Sequence, residues 1–251
     1  MRSLAAVVLV ACQAHAPAPV ADLVSPLAPN ADLAMLAKFD WKRETAVSPA
    51  EKVFANVLVQ QGMTAERFMI GMLAMKTSLG VACTHCHDHT AFPSDELPPK
   101  RMARRMLLMA DRLNRETWGS ETRVACYTCH RGEAKPPPPP APPAPPAALV
   151  LTDERANKPA RDVWKNIQVL GSKRAKLVPV LMATYSAALG VPCTHCHVDG
   201  AWERDDVPAK ARARQMIQLT GRANAEIYGT TDGIGCFTCH RGSPAPPPMT
   251  P

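Results

Sequence analysis

The stretch Cys83-Thr84-His85-Cys86-His87 decides how this chain folds. Two cysteines separated by two residues and followed at once by a histidine are the signature of c-type haem attachment. The two thiols add to the vinyl groups of the porphyrin, and the histidine is placed to bind the iron. We therefore expect a haem at this stretch, with the surrounding chain folded against it.

The chain contains the same pattern four times, which chance does not explain. The four matches use eight of its nine cysteines. The predicted thioether sites are Cys83, Cys86, Cys126, Cys129, Cys193, Cys196, Cys236 and Cys239. The histidines that follow them, the predicted axial ligands, are His87, His130, His197 and His240. The sequence thus predicts four covalently bound haem c groups, each with its iron.

The second half of the chain repeats the first half after a shift of 110 residues. The first motif falls on the third, and the second motif falls on the fourth, without a gap. Outside the motifs, Leu79-Gly80-Val81 falls on Leu189-Gly190-Val191, and Asp95 falls on Asp205. We expect a mainly α fold made of two tandem dihaem units, with little or no sheet.

The expected domain division follows from this repeat. The first dihaem unit occupies residues 48–134, the second residues 149–243, and residues 244–251 form a proline-rich tail. A polyproline linker occupies 135–148, and its segment 136–146 consists of nine prolines and two alanines. At roughly 3.1 Å per residue, such a segment spans about 34 Å as a semi-rigid spacer. The linker is compatible with two docked units or with two separate beads.

The N-terminus carries the features of an export signal. Residues 1–11 combine a basic start with an apolar run that is too short to span a bilayer, and they end in a pattern resembling a lipobox. Cleavage there would leave Cys12 as a lipid-modified N-terminus, followed by an Ala/Pro-rich tether over 12–47. Cleavage after Ala14-His15-Ala16 is the alternative. Both place the protein outside the cytoplasm, and the first anchors it by lipid on the periplasmic side of a bacterial membrane.

Three helices are predicted in the first unit. The first begins at Ser48-Pro49-Ala50-Glu51, which combines an N-cap, a proline at the first helical position and a capping-box glutamate, and it continues to about Leu58. The second covers about 64–80 and the third about 100–118. Each longer helix ends at a glycine, the residue most often found just past a helix C-terminus.

Four methionines are the predicted sixth ligands of the irons. The second half of the chain is poor in methionine, yet it keeps two that match methionines of the first half. These matched residues lie on helices leading into or out of the motifs, and histidine–methionine ligation raises the potential of a haem. The predicted iron ligands are Met72, Met106, Met182 and Met216. Methionine on a helix is otherwise usually core packing.

Three further histidines compete for the same role. His85 and His195 lie between the cysteines of their motifs, where they point away from their own iron but are able to reach a neighbouring haem. His89 has no counterpart in the repeat. Facing solvent or binding a propionate is the alternative for all three.

The charge of the chain does not indicate nucleic-acid binding. Its formal net charge is +7, but four haems would add eight propionate carboxylates that roughly cancel it. Lys100 and Arg104 share one face of the third helix, as do their counterparts Lys210 and Arg214. Each pair either binds propionates or forms a solvated face.

These residues resemble the tetrahaem cytochrome subunit of bacterial photosynthetic reaction centres. The resemblance rests on a methionine eleven residues before the motif, as Met72 stands before Cys83, and on Met106 nineteen residues after His87. The closing Cys126-Tyr-Thr-Cys-His-Arg-Gly also matches, and the similarity covers about residues 48–133 and 158–243. It implies four haems in a row that relay electrons from a soluble periplasmic donor to a membrane-bound acceptor, such as a reaction centre.

Two departures from that family bear on the partner. The stretch between the second and third motifs is shorter here, with 63 residues between Cys129 and Cys193. Some members take a histidine ligand from a region that here, around Ser120, has none. The same relay in a non-photosynthetic respiratory chain is therefore an alternative, as is a multihaem reductase of small molecules. Structural zinc is disfavoured because 39 residues separate the paired motifs, far from zinc-ribbon spacing.

Overall fold

The computed structural model describes residues 42–119, 121–230 and 233–246, and within these ranges it is helical, without a β-strand. Pairing between extended residues is limited there to isolated bridges, of which Pro49 with Thr64 and Pro159 with Arg174 are repeat-related. The mainly α class predicted from the repeat is confirmed. The eight α-helices of these ranges are α1 Arg43–Val47, α2 Ala50–Val53, α3 Ala65–Leu79, α4 Pro98–Trp118, α5 Cys126–His130, α6 Leu177–Leu189, α7 Pro208–Tyr228 and α8 Cys236–His240.

The helix preceding the first motif forms where its sequence signals lie. The side chain of Thr64 accepts a hydrogen bond from the backbone N–H of Arg67, which caps the start of α3. Gly80 ends the helix in the left-handed conformation, with φ +63°. Its repeat partner Gly190 ends α6 in the same way, with φ +66°. The prediction of a helix over about 64–80 is confirmed.

The longest helices, α4 and α7, cover equivalent stretches of the two units. Each begins with a proline, whose fixed φ suits the first helical turn and whose missing N–H has no partner there anyway. Each ends at a glycine with positive φ, Gly119 in α4 and Gly229 in α7. The third predicted helix is therefore confirmed, beginning two residues earlier than expected.

The first predicted helix is mostly wrong. Only α2, four residues long, forms after the capping signal, and the chain then turns instead of continuing to Leu58. Asn56 and Gln60 both adopt left-handed backbone conformations, with φ +62° and +64°. The Asn56 amide donates a 3.0 Å hydrogen bond to the Asp95 carboxylate, and Gln60 is buried. Contacts with distant parts of the chain therefore override the local helical signal.

The two units are docked against each other rather than separated. Helices α4 and α7 pack together through an apolar cluster that contains Met109, Leu113, Ala223 and Ile227. Around it, Arg112 of the first unit pairs with Glu226 of the second. Exposed ion pairs of this kind contribute only about 0.2–1 kcal/mol each, so the apolar cluster is the main source of cohesion between α4 and α7. The open choice between docked units and beads is decided in favour of docking.

Several expectations concern parts of the chain that the structure does not describe. The predicted signal segment 1–11, the lipidation site Cys12 and most of the tether lie outside the described residues. The last residues of the predicted tether form α1, which packs against α3. None of the helices in the described ranges is both long and apolar enough to cross a membrane.

Candidate haem-binding site

Each unit brings its two motifs together through a contact between glycines. The N–H of Gly132, just past the second motif, donates a 2.7 Å hydrogen bond to the carbonyl of Ser78 in α3. A side chain on Gly80 would collide with the Gly132 carbonyl, so the close approach requires glycine at position 80. Gly242 and Gly190 make the equivalent contact in the second unit. The two haem motifs of a unit are thus fixed against one another by backbone.

The four motif histidines share one hydrogen-bonding arrangement. The Nδ1 atom of each lies 2.9 to 3.0 Å from a backbone carbonyl a few residues further along the chain. A histidine whose Nδ1–H donates to a carbonyl keeps the lone pair of Nε2 for a metal ion, and ligating histidines are usually oriented in this way. The accepting carbonyls belong to Phe92, Glu133, Trp202 and Ser243, respectively. Sequence patterns did not reveal these carbonyls, because every residue type has one.

The motif helices themselves are held by side-chain amides on the long helices. Buried Asn114 in α4 accepts hydrogen bonds from the N–H groups of Arg123 and Val124 and donates one to the Val124 carbonyl. Asn224 in α7 holds the chain before the fourth motif through Ile234. In each unit, an equivalent asparagine therefore connects the long helix, which carries a predicted methionine ligand, to the chain just before a cysteine motif. No sequence pattern marks this role of the two asparagines.

A large apolar cavity adjoins the motifs, with a volume of about 1900 Å³. Small-molecule sites usually occupy about 300–1,000 Å³, so this cavity suits several flat apolar groups better than one small ligand. Its walls include both motifs of the first unit and the fourth motif, together with side chains such as Phe68, Leu79 and Val81. The apolar lining and the available histidine nitrogens fit haem. The third motif, at 193–197, lies outside the lining of this cavity.

The predicted methionine ligands differ in position. Met72 and Met106 line the cavity, whereas Met182 and Met216 do not. Met106 also packs against the apolar cluster between the units, which is the core-packing role considered as the alternative. The competing ligand His85 lines the cavity as well. The geometry therefore places Met72 and Met106 on the cavity wall that also holds the motifs of the first unit, and ligation by any of the four methionines stays a prediction.

The polyproline linker also contributes to the cavity wall. Pro136, Pro137, Pro138, Pro139, Pro140 and Pro142 line it next to Ala134 and Lys135. The linker therefore forms part of the cavity wall as well as connecting the two halves. Proline rings have no N–H group, so they add apolar surface without adding a backbone donor.

The cysteines nearest the interior are kept protonated by their surroundings. Burial raises the pKa of the Cys126 and Cys236 thiols above the ordinary value, and burial followed by the neighbouring Cys83 raises that of Cys86. Burial alone also raises the pKa of Cys196. A raised pKa lowers the fraction of reactive thiolate at these cysteines.

The structure joins Cys129 and Cys239 to each other in a disulfide, with their Cα atoms 4.3 Å apart. This differs from the sequence expectation that each forms a haem thioether, because a disulfide sulfur is not free to form a second bond to carbon. The cause lies in the docking of the units, which places α5 beside α8 and so brings equivalent cysteines together. No spacing along the sequence predicts a contact between motifs 110 residues apart.

Two arginines reinforce this contact between α5 and α8. Arg131 donates a hydrogen bond to the Cys239 carbonyl, and Arg241 donates to the carbonyls of Cys129 and His130 at 3.0 and 3.2 Å. Burial, followed by the charge of Arg241, lowers the pKa of Arg131. Equivalent surfaces of the two units therefore face each other, as in a dimer with twofold symmetry. No sequence pattern predicted this contact between the two arginines and the opposite motifs.

The basic faces of α4 and α7 have different partners from those considered in the sequence. Lys100 is buried and Arg104 pairs with the Asp95 carboxylate at 2.8 Å, so neither belongs to a solvated face. Arg104, and then the Asn56 amide, lower the pKa of Asp95 to about 2. The same partners form in the second unit, where Arg214 holds the pKa of Asp205 well below its usual range. These basic residues therefore have partners within the protein.

The chain matches one known protein family along most of its length. The family described as "Photosynthetic reaction centre cytochrome C subunit" matches the chain twice, over residues 30–138 and 140–249. The chain belongs to this family. The double match also agrees with the tandem repeat and with the two docked units. The family's name describes a cytochrome c subunit of a reaction centre, which indicates an electron-carrying protein with covalently bound haem c.

Two individual relatives bear the same name as the family. The chain is 27% identical to the photosynthetic reaction center cytochrome c subunit of Rubrivivax gelatinosus, with 78% of this chain and 68% of the relative aligned. It is 26% identical to the subunit of the same name from Roseobacter denitrificans, over 78% of this chain and 70% of the relative. Cytochrome c-554 of Chloroflexus aurantiacus is 34% identical, but over only 32% of this chain and 20% of that protein.

Proposed function

We propose that this protein is a tetrahaem electron relay anchored on the periplasmic side of a bacterial membrane. It takes electrons from a soluble donor and delivers them to a membrane-bound acceptor. The observation that carries the proposal is the repeated histidine geometry, in which each Nδ1 is held by a carbonyl and each Nε2 is left for iron. Family membership and the apolar cavity support the same conclusion.

The eight motif cysteines attach the four haems, two to each. Bound in this way, the haems supply irons that alternate between the ferric and ferrous states without making or breaking a bond in a substrate. For Cys129 and Cys239, attachment requires both sulfurs in the thiol form, so a dithiol reductant would first have to give two electrons and two protons to their disulfide and itself become a disulfide. We expect the haem-bearing protein to contain thioethers at both positions and no disulfide.

The chain's own residues orient the haems and exclude water from them. The four carbonyls hold the histidine rings, while Met72, Met106, Met182 and Met216 are the proposed partner ligands of the irons. If each iron were held by one of these histidines and one of these methionines, none would remain open to bind a substrate. This count favours a relay over a multihaem reductase.

The domain division and the anchor belong to the same proposal. The dihaem units comprise residues 48–134 and 149–243, joined by the linker 135–148. Export through residues 1–11 and lipidation at Cys12 would keep the relay beside its membrane partner. Because the second and fourth motifs meet at α5 and α8, these motifs would be the place where the haems of the two units come nearest.

A photo-oxidised reaction centre is the proposed acceptor. Isolated membranes containing the protein are the material for the test, and the assay is flash-induced absorbance change at the haem α-band. We expect haem oxidation to follow the flash, because the haems re-reduce the oxidised pigment. If the haems oxidise only on addition of a respiratory oxidant and never after a flash, the acceptor is a respiratory complex and the photosynthetic role is wrong.

A further inference from the structure

Among the residues that the structure describes, two lysines are buried, and both occupy the first turn of a long helix. Lys100 in α4 and Lys210 in α7 are each only 8% exposed. An ammonium group is almost never buried without partners, because leaving water costs it several kcal/mol. The same arrangement in both units indicates that the burial has a specific use rather than being an accident of packing.

The partners of the lysines are mainly backbone carbonyls. The Lys100 ammonium donates to the carbonyls of Phe92 and Ser94, both at 2.9 Å. The Lys210 ammonium donates to the carbonyl of Trp202 at 2.9 Å and to that of the residue two positions later at 2.6 Å. Each lysine thus clamps the loop between a motif and the helix that follows it.

One carbonyl in each loop has a second donor. The Phe92 oxygen lies 3.0 Å from Nδ1 of His87, and the Trp202 oxygen lies 3.0 Å from Nδ1 of His197. A single oxygen therefore stands between a buried cation and an imidazole of the first or third motif. In the described parts of the chain, the carbonyls that hold the other two motif histidines accept no lysine.

This geometry has a direct electronic consequence. An oxygen that already accepts a hydrogen bond from an ammonium group is a weaker acceptor for a second donor, so the imidazole keeps more of its proton and donates less electron density. Second-shell hydrogen bonding is one of the means by which a protein sets a haem potential. The nearby positive charge acts in the same direction, because it disfavours the ferric state.

The neighbouring carboxylate opposes part of this effect. Asp95 lies 3.5 Å from the Lys100 ammonium and 2.8 Å from Arg104, so two cations and one anion leave a net positive charge beside the loop. In the second unit Asp205 lies 3.1 Å from Lys210 and 3.0 Å from Arg214. Each cluster therefore offers one substitution that lowers the local positive charge and another that raises it.

We propose that Lys100 and Lys210 are tuning residues that raise the reduction potentials of the haems held by the first and third motifs. They act on the irons through the carbonyls of Phe92 and Trp202 and through their charge. This inference rests on the proposed function, because it takes His87 and His197 as iron ligands. In the described residues no buried lysine contacts the carbonyl that holds His130 or His240, so the haems of the second and fourth motifs serve as internal references.

Redox potentiometry of the purified tetrahaem protein tests the proposal. Lys100→Met should lower the midpoint potential of one haem and leave the other three unchanged. The expected shift is about tenfold in the reduction equilibrium, which is about 59 mV for a one-electron couple. Lys100→Arg should keep the potential near its original value. Lys52→Met, which removes an exposed lysine of the same unit, is the matched control and should shift nothing.

A second variant keeps the test informative if Lys100→Met does not fold. Asp95→Asn removes the opposing charge and should raise the potential of the same haem. Unchanged potentials in either folded variant, with four haems bound, would overturn the tuning role while leaving the relay intact. Loss of the proposed function would look different, because the unaltered protein would then lack a haem on the first motif in peptide mass spectra.

Discussion

The contact between Gly80 and Gly132 gives the sharpest prediction about the fold. Gly80→Ala would place a Cβ 2.9 Å from the carbonyl carbon of Gly132 and closer still to its oxygen. The obstacle is backbone, which is unable to rotate away as a flexible side chain would. The new methyl group must therefore push the end of α3 away from the second motif.

The expected cost has two parts. An alanine held at φ +63° costs roughly 1–2 kcal/mol because its Cβ approaches the following carbonyl oxygen. Overpacking a fixed contact adds typically about 1–3 kcal/mol. We therefore expect Gly80→Ala to reduce the free energy of unfolding by about 2–5 kcal/mol, measured by urea titration followed by circular dichroism.

Gly62→Ala is the matched control for this prediction. Gly62 also has a positive φ, +80°, but a Cβ there would meet nothing within 4 Å. Gly62→Ala therefore has only the cost of holding an alanine at a positive φ, without a steric clash. Both substitutions reduce the freedom of the unfolded chain by the same amount. If Gly80→Ala is no more destabilising than Gly62→Ala, the two motifs are not held together by this backbone contact.

Three further predictions follow from the site. Asp95 has a folded-state pKa near 2, below the ordinary value, so its ion pair with Arg104 stabilises the protein above about pH 4 and is lost as the pH falls towards 2. The difference in melting temperature between the unaltered protein and Asp95→Asn should accordingly shrink over that range, and a constant difference would contradict the pairing. Met72→Ala or Met106→Ala should lower one haem potential or open one iron to added imidazole in absorption spectra, and unchanged spectra and potentials would mean that neither is a ligand. Cys12→Ser should release the protein from the membrane fraction, whereas retention would argue against lipidation.

The sequence was sufficient for those features that depend on local signals or on repetition. The predicted range of about 64–80 and its glycine stop gave α3 correctly, because helix-end signals act on the residues beside them. The repeat predicted α7 from α4, because equivalent sequences carry the same local helix signals. Where local and distant contacts compete, as at Asn56, the capping signal gave a helix that is far too long.

The features that the sequence could not provide all depend on the packing of distant segments. The carbonyl of Phe92 holds His87, but carbonyls carry no sequence pattern. Cys129 meets Cys239 because the two units are docked. The sequence of the linker does not predict that docking, since it is compatible with docked or separate units. Burial of Lys100 was likewise hidden, since a lysine on an amphipathic helix is usually exposed.

The number of covalently bound haems tests the central claim most directly. Intact-protein mass spectrometry of the mature chain, with peptide mapping of the four motifs, measures it without reference to any partner. The account predicts the mass of four haems, with two thioether bonds at each motif and no bond between Cys129 and Cys239. A protein with fewer haems that keeps the Cys129–Cys239 disulfide would contradict a tetrahaem relay.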